Sequence, residues 1–109
     1  MERLEEIKKR ILEFREKRDW KKYHTIENLS KSISIEAAEL LEVFQWGDDY
    51  KIEDITEELA DILIYSLLLS EAIGVDPISV IEEKINKNEK RFPVDKVYGT
   101  SGKHTKEDL

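Results

Sequence analysis

Between Ile62 and Leu69 the chain reads ILIYSLLL. Wound at 3.6 residues per turn, its apolar side chains point almost all the way round the axis. A helix of that kind must be covered on every side, so it belongs at the centre of whatever the chain builds. The run is far too short to cross a bilayer, which takes about 20 apolar residues. Asp54 followed by Glu57 predicts its start in the manner of a capping box, and Gly74 predicts its end. Three further helices are available to cover it. From Leu4, the three/four spacing of Ile7, Ile11 and Phe14 predicts one ending near Arg18. Leu29, Ile33, Ala37, Leu40, Leu41 and Phe44 mark another, stopped by Gly47 and Asp48–Asp49. Asp76–Pro77 supplies an N-cap and a first-turn proline for the last, whose stripe is Ile78, Ile81 and Ile85 and which Phe92–Pro93 closes. The stretch DWKKYHTIENLSK has no clear period and reads as a loop.

No segment alternates like a β-strand, so the expected class is all-α, an antiparallel four-helix bundle over residues 1–93. Residues 94–109 carry Gly, Ser, Thr and Lys and read as a tail, mobile unless a ligand or partner orders it. A chain of 109 residues has a thin core. Four short helices leave part of the central one bare, and homo-oligomerisation is the simplest completion; the alternative is that the first helix or the tail wraps that face.

Asp plus Glu outnumber Lys plus Arg by 25 to 18, a net charge of −7. The summed field repels polyanions, which argues against a long nucleic acid as partner. A small phosphorylated ligand is still accessible where a divalent cation reverses the local sign. There is no cysteine, hence no disulfide and no thiolate metal site, and the charged N-terminus is unlike a signal peptide. These features point to the cytoplasm, with no membrane partner.

Acids interrupt the apolar faces of two helices. With Ile33 at zero on a helical wheel, Glu36 falls near 300°, inside the apolar arc, and Glu39 near 240°, at its edge. With Ile55 at zero, Glu58 and Asp61 fall at about the same two angles. One such pair is ordinarily a solvated edge. The repetition is what argues that the four carboxylates converge. Carboxylates about 5 Å apart repel by roughly 3 kcal/mol per pair at an effective dielectric of 20. A hard divalent cation offsets this, and all-oxygen ligation suits Mg²⁺ or Mn²⁺. Di-iron bundles use Glu-x-x-His, whereas His24 and His104 stand outside both acid pairs.

The ordered set ExxE at 36–39 and ExxD at 58–61, with RDW at 18–20, YH at 23–24, NL at 28–29, FQW at 44–46, EELADILIY at 57–65 and KINKNEKRFP at 84–93, resembles the MazG-like family of all-α nucleoside triphosphate pyrophosphohydrolases, in its small dCTP-pyrophosphatase branch. The resemblance implies Mg²⁺-dependent cleavage between the α- and β-phosphates, to a nucleoside monophosphate and pyrophosphate, by a homodimer or dimer of dimers. Under it, Glu36, Glu39, Glu58 and Asp61 hold metal ions and orient the attacking water. One of them, or Glu42 one turn on, accepts its proton; Glu42 serves equally as a solvated acid. Trp20 and Trp46 become a base-stacking pair, although a tryptophan beside a loop is also an ordinary lid over a core. His24 meets base or sugar, or is merely solvated. Tyr65 reaches sugar or phosphate, or is a core tyrosine. Lys84, Asn88 and Arg91 share a helix face suited to phosphate oxygens, or form an exposed stripe. Lys103 and His104 in the tail are placed to close over a ligand. The contrasting reading is a non-enzymatic acidic helical module that pairs with another protein through the central helix.

Overall fold

The computed structural model describes residues 2–100, and all regular structure among them is helical. The helices are α1 (Glu2–Lys17), α2 (Ile26–Glu42), α3 (Ile52–Ile73), α4 (Pro77–Arg91) and the single turn α5 (Val94–Val97), with a 3₁₀ turn at Lys21–Tyr23. No single helix among these residues is long and apolar enough to cross a membrane. The all-α class therefore holds.

Local chemistry explains the boundaries, including two that differ from the periodicity. α2 begins within the stretch that reads as a loop, because Thr25 caps it: its hydroxyl accepts from the Asn28 amide at 3.1 Å. The Asn28 side chain in turn donates to the Tyr23 carbonyl at 2.9 Å, tying the helix to the turn before it. α3 starts after Lys51 with no side-chain cap, so Asp54 is not the N-cap. It lies in the first turn with Glu53, where both acids face the positive end of the helix dipole. Gly74 ends α3 at φ 72°, a left-handed conformation that glycine adopts without a Cβ penalty. Asp76 caps α4, accepting from the amide and the hydroxyl of Ser79 at 2.9 Å each. Residues 94–97, read as the start of a tail, form the turn α5 behind Pro93.

The chain divides into two compact units, one ending at Gly74 and one beginning at Val75. In the first, α2 and α3 pack along their length, and their short connection makes them antiparallel neighbours. α1 meets α3 at a seam lined by Ile11, Leu12, Leu67 and Leu68. Leu29 and Leu68 are its buried apolar side chains among the described residues, while Leu41, Leu59 and Leu63 are exposed, so the α2/α3 pair carries apolar surface that the described residues leave open. The second unit contains α4 and α5.

Candidate active site

The two acid-bearing helices face each other. One carboxylate oxygen from each of Glu36, Glu58 and Asp61 lies within 4.8 Å of the others. Glu36 Oε2 and Glu58 Oε2 are buried and have no hydrogen-bond partner among the described residues. A buried acceptor without a donor forfeits its hydration and receives nothing in return. The electrostatics agree: burial, then the neighbouring carboxyls of Glu58 and Glu39 and the charge of Asp61, push the Glu36 carboxyl up to about 7. Glu58 is pulled down by its contact with Glu36, but burial, Glu39 and Asp61 outweigh that contact and hold it above the ordinary carboxylate range. Glu39 is outside the closest triple yet near enough to act on both glutamates. Oxygen-only donors, two of them orphaned, fit a hard divalent cation; among the described residues neither sulfur nor imidazole contributes.

Beside this cluster, α1, α3 and the 18–24 segment enclose a cavity of about 510 Å³ whose lining includes Trp20, His24, Asp61 and Tyr65 among Phe14, Ile64 and other apolar side chains. Asp61 thus belongs to both the acid triple and the cavity. The RDW stretch aims the tryptophan. Asp19 takes a left-handed φ of 56°, and the amides of Asp19 and Trp20 fold back onto the carbonyls of Glu16 and Arg15 at 3.1 Å each. The Trp20 ring meets Phe14 edge-on at 5.9 Å, and the Arg18 guanidinium covers the other ring at 3.5 Å from its centroid. His24 Nδ1 is buried without a partner among the described residues; burial and then the positive charge of Arg15 lower the imidazole's pKa, so the ring is biased to its neutral form.

Trp20, His24 and Tyr65 therefore share one cavity with a member of the acid quartet. Trp46 does not join them. It follows the end of α2, is 89 % exposed and is absent from the cavity lining. Glu42 sits at the α2 terminus in a shallow depression with Ala38, Leu41, Phe44 and Gln45, outside the acid triple. Lys84, Asn88 and Arg91 lie on α4 in the second unit, where Asn88 is half-buried and the other two are exposed. Lys103 and His104 lie outside the described residues. Arg15 lines the cavity and was not among the residues singled out by sequence. The signal was there: Arg15 follows Ile7 and Ile11 at four-residue steps, a charge on the apolar stripe of α1 just as Glu36 is on that of α2.

Comparison with known proteins adds three findings. The MazG-like family matches residues 31–106, a stretch that contains both acid pairs. The dCTP pyrophosphatase 1 of Mus musculus is 33 % identical over 112 residues, covering 94 % of this chain and 66 % of that protein. Its Homo sapiens counterpart is 34 % identical over 113 residues with the same coverage, so the chain spans just under two thirds of the length of these relatives. A crystal structure of a pyrophosphatase from Archaeoglobus fulgidus superimposes with a TM-score of 0.79 at 42 % identity, covering 84 % of this chain and 93 % of that one.

Proposed function

Because the chain belongs to the MazG-like family, we propose that it is a nucleoside triphosphate pyrophosphohydrolase that cuts dCTP-like or modified pyrimidine nucleotides between the α- and β-phosphates, releasing a nucleoside monophosphate and pyrophosphate. The observation that carries this reading is the meeting of Glu36, Glu58 and Asp61 at the edge of a cavity that holds Trp20, His24 and Tyr65. The names of the relatives and of the solved structure support the same reaction class.

Glu36, Glu39, Glu58 and Asp61 hold Mg²⁺, or Mn²⁺ in its place. When bound, the cation supplies positive charge opposite the phosphate oxygens, on which charge develops in phosphoryl transfer. One of these carboxylates, or Glu42 one turn on, takes the proton of the attacking water. Trp20 stacks on the base, a contact that tolerates different bases and contributes about 1–3 kcal/mol. His24, biased to neutrality, offers one donor and one acceptor to base or sugar, and the Tyr65 hydroxyl serves the sugar. Lys84, Asn88 and Arg91, on one face of α4 in the second unit, are of the type suited to phosphate oxygens.

The open apolar surface of α2 and α3 supports completion of the helical bundle by a second copy, as a homodimer or a dimer of dimers. A second copy also accounts for Trp46, which stands outside the cavity of its own chain and is available to close another's. The enzyme acts in the cytoplasm on free nucleotides, and its acidic surface excludes long nucleic acids.

The test is pyrophosphate release from a panel of nucleoside triphosphates in Mg²⁺ and in EDTA. Release confined to the Mg²⁺ arm and strongest for deoxycytidine nucleotides is the expected result. Silence across the panel would replace the enzyme with an acidic interaction module.

A further inference from the structure

The geometry points to Arg15 as a specificity residue: its guanidinium donates to adjacent acceptor atoms on the edge of a cytosine that lies against Trp20. This inference rests on the pyrophosphohydrolase reading of the cavity.

Arg15 is 8 % exposed and is the one buried charged side chain among the described residues. Its Nε and Nη2 donate to Glu16 Oε1 at 3.1 and 2.6 Å, which fixes the plane of the fork. Among the described residues nothing accepts from Nη1. A guanidinium has five N–H donors, and burying one with a single carboxylate as partner leaves donors that need acceptors from elsewhere. Arg15 lines the cavity, so a ligand there is the available source.

The location separates base from phosphate. The Arg15 carbonyl accepts from the Trp20 amide at 3.1 Å, so guanidinium and stacking ring are set by the same turn. His24 stands close enough to feel the positive charge. The phosphates belong with the cation at the acid cluster, which the cavity reaches through Asp61. Arg15 therefore meets the base. A donor-only fork demands two neighbouring acceptors. Cytosine presents them, O2 beside an unprotonated N3. Uracil and thymine put an N3–H donor between two carbonyls, so the fork meets a like group and one buried donor is left unpaired, which is the kind of mismatch that discriminates strongly.

The experiment needs no hydrolysis: titrate the protein in EDTA with dCMP and with dUMP, following tryptophan fluorescence. Wild type should prefer dCMP. Arg15→Met should weaken dCMP binding by about 5- to 150-fold, the range for losing one bidentate contact to a base, while dUMP changes little and the preference collapses. Arg15→Lys keeps the charge without the fork and, with its fold verified by its melting curve, should also lose most of the preference. Equal weakening of both nucleotides, a preference that survives in the lysine variant, or no preference in wild type would each overturn the proposal. A protein silent in pyrophosphate release that still shows an Arg15-dependent dCMP preference would refute the enzyme reading alone.

Discussion

The seam between α2 and α3 and the cavity between α1 and α3 solve opposite problems with the same device, an ionisable group on an apolar helix face. At the seam, like charges converge: Glu36, Glu58 and Asp61 crowd within 4.8 Å, two buried oxygens lack donors, and Glu36 holds its proton up to about pH 7. In the cavity Arg15 already has a counterion in Glu16, and its neighbour His24 is biased to neutrality. Among the described residues none of the seam acids forms an ion pair. The cavity is partly open, and Arg15 brings to it donors that have no acceptor among the described residues. On the proposed function the two tasks would be separated, the metal held where the carboxylates repel and the base held by packing.

Asp61 lies where the two regions join, so Asp61→Asn is the strongest way to break the comparison. It should lower kcat by at least about a hundredfold, the scale seen when a group that stabilises transition-state charge is removed. A change confined to KM would assign Asp61 to the cavity alone. Trp20→Ala should act on the other side of the division, raising KM by about 5- to 150-fold from the lost stacking while leaving the Mg²⁺ requirement intact. An equal loss on tripolyphosphate, which has no base, would remove Trp20 from base recognition.

A smaller effect sharpens the contrast through pH. Glu36 has its carboxyl raised from 4.5 to about 7 in the folded protein, so the folded state binds the proton more tightly than the unfolded one. Its contribution to stability is present below pH 4.5 and is lost as pH rises toward 7. Melting temperature in EDTA should therefore fall across that window, and saturating Mg²⁺ should reverse the fall at its upper end. A flat profile in EDTA would mean that the carboxylates do not crowd one another.

The sequence made the existence of the helices legible, because the three/four spacing of Ile7, Ile11 and Phe14, or of Ile33, Ala37 and Leu40, has few other readings. It also made the acid pairs legible, since a wheel reports the angle of Glu36 and Glu58 about their own axes. Boundaries set by side-chain capping were harder. Thr25 starts α2 in a stretch without periodicity, and Asp54 has the right residue type but sits one turn too late. Beyond the convergence argued from the repeated acid pairs, partnership between elements was not legible. A wheel cannot say that Trp20 returns to Phe14 through a left-handed Asp19, or that Trp46 ends beyond the cavity, because both depend on how the chain turns after a helix stops. Arg15 was legible by the rule that found Glu36. It lies on the first helix, four residues after Ile11 on the apolar stripe.

The central claim, that the acids on the apolar face await a cation, is tested most directly by thermal melts of wild type and Glu36→Gln, each in EDTA and in Mg²⁺, above pH 7. Removing one of the crowded charges without changing shape should leave the melting temperature in EDTA unchanged or higher. Mg²⁺ at a hundredfold excess over Kd should stabilise wild type by about 2.7 kcal/mol, and the variant should lose most of that gain together with its activity. A Glu36→Gln protein that melts much lower in EDTA yet responds to Mg²⁺ as wild type does would contradict the account and make Glu36 a structural residue.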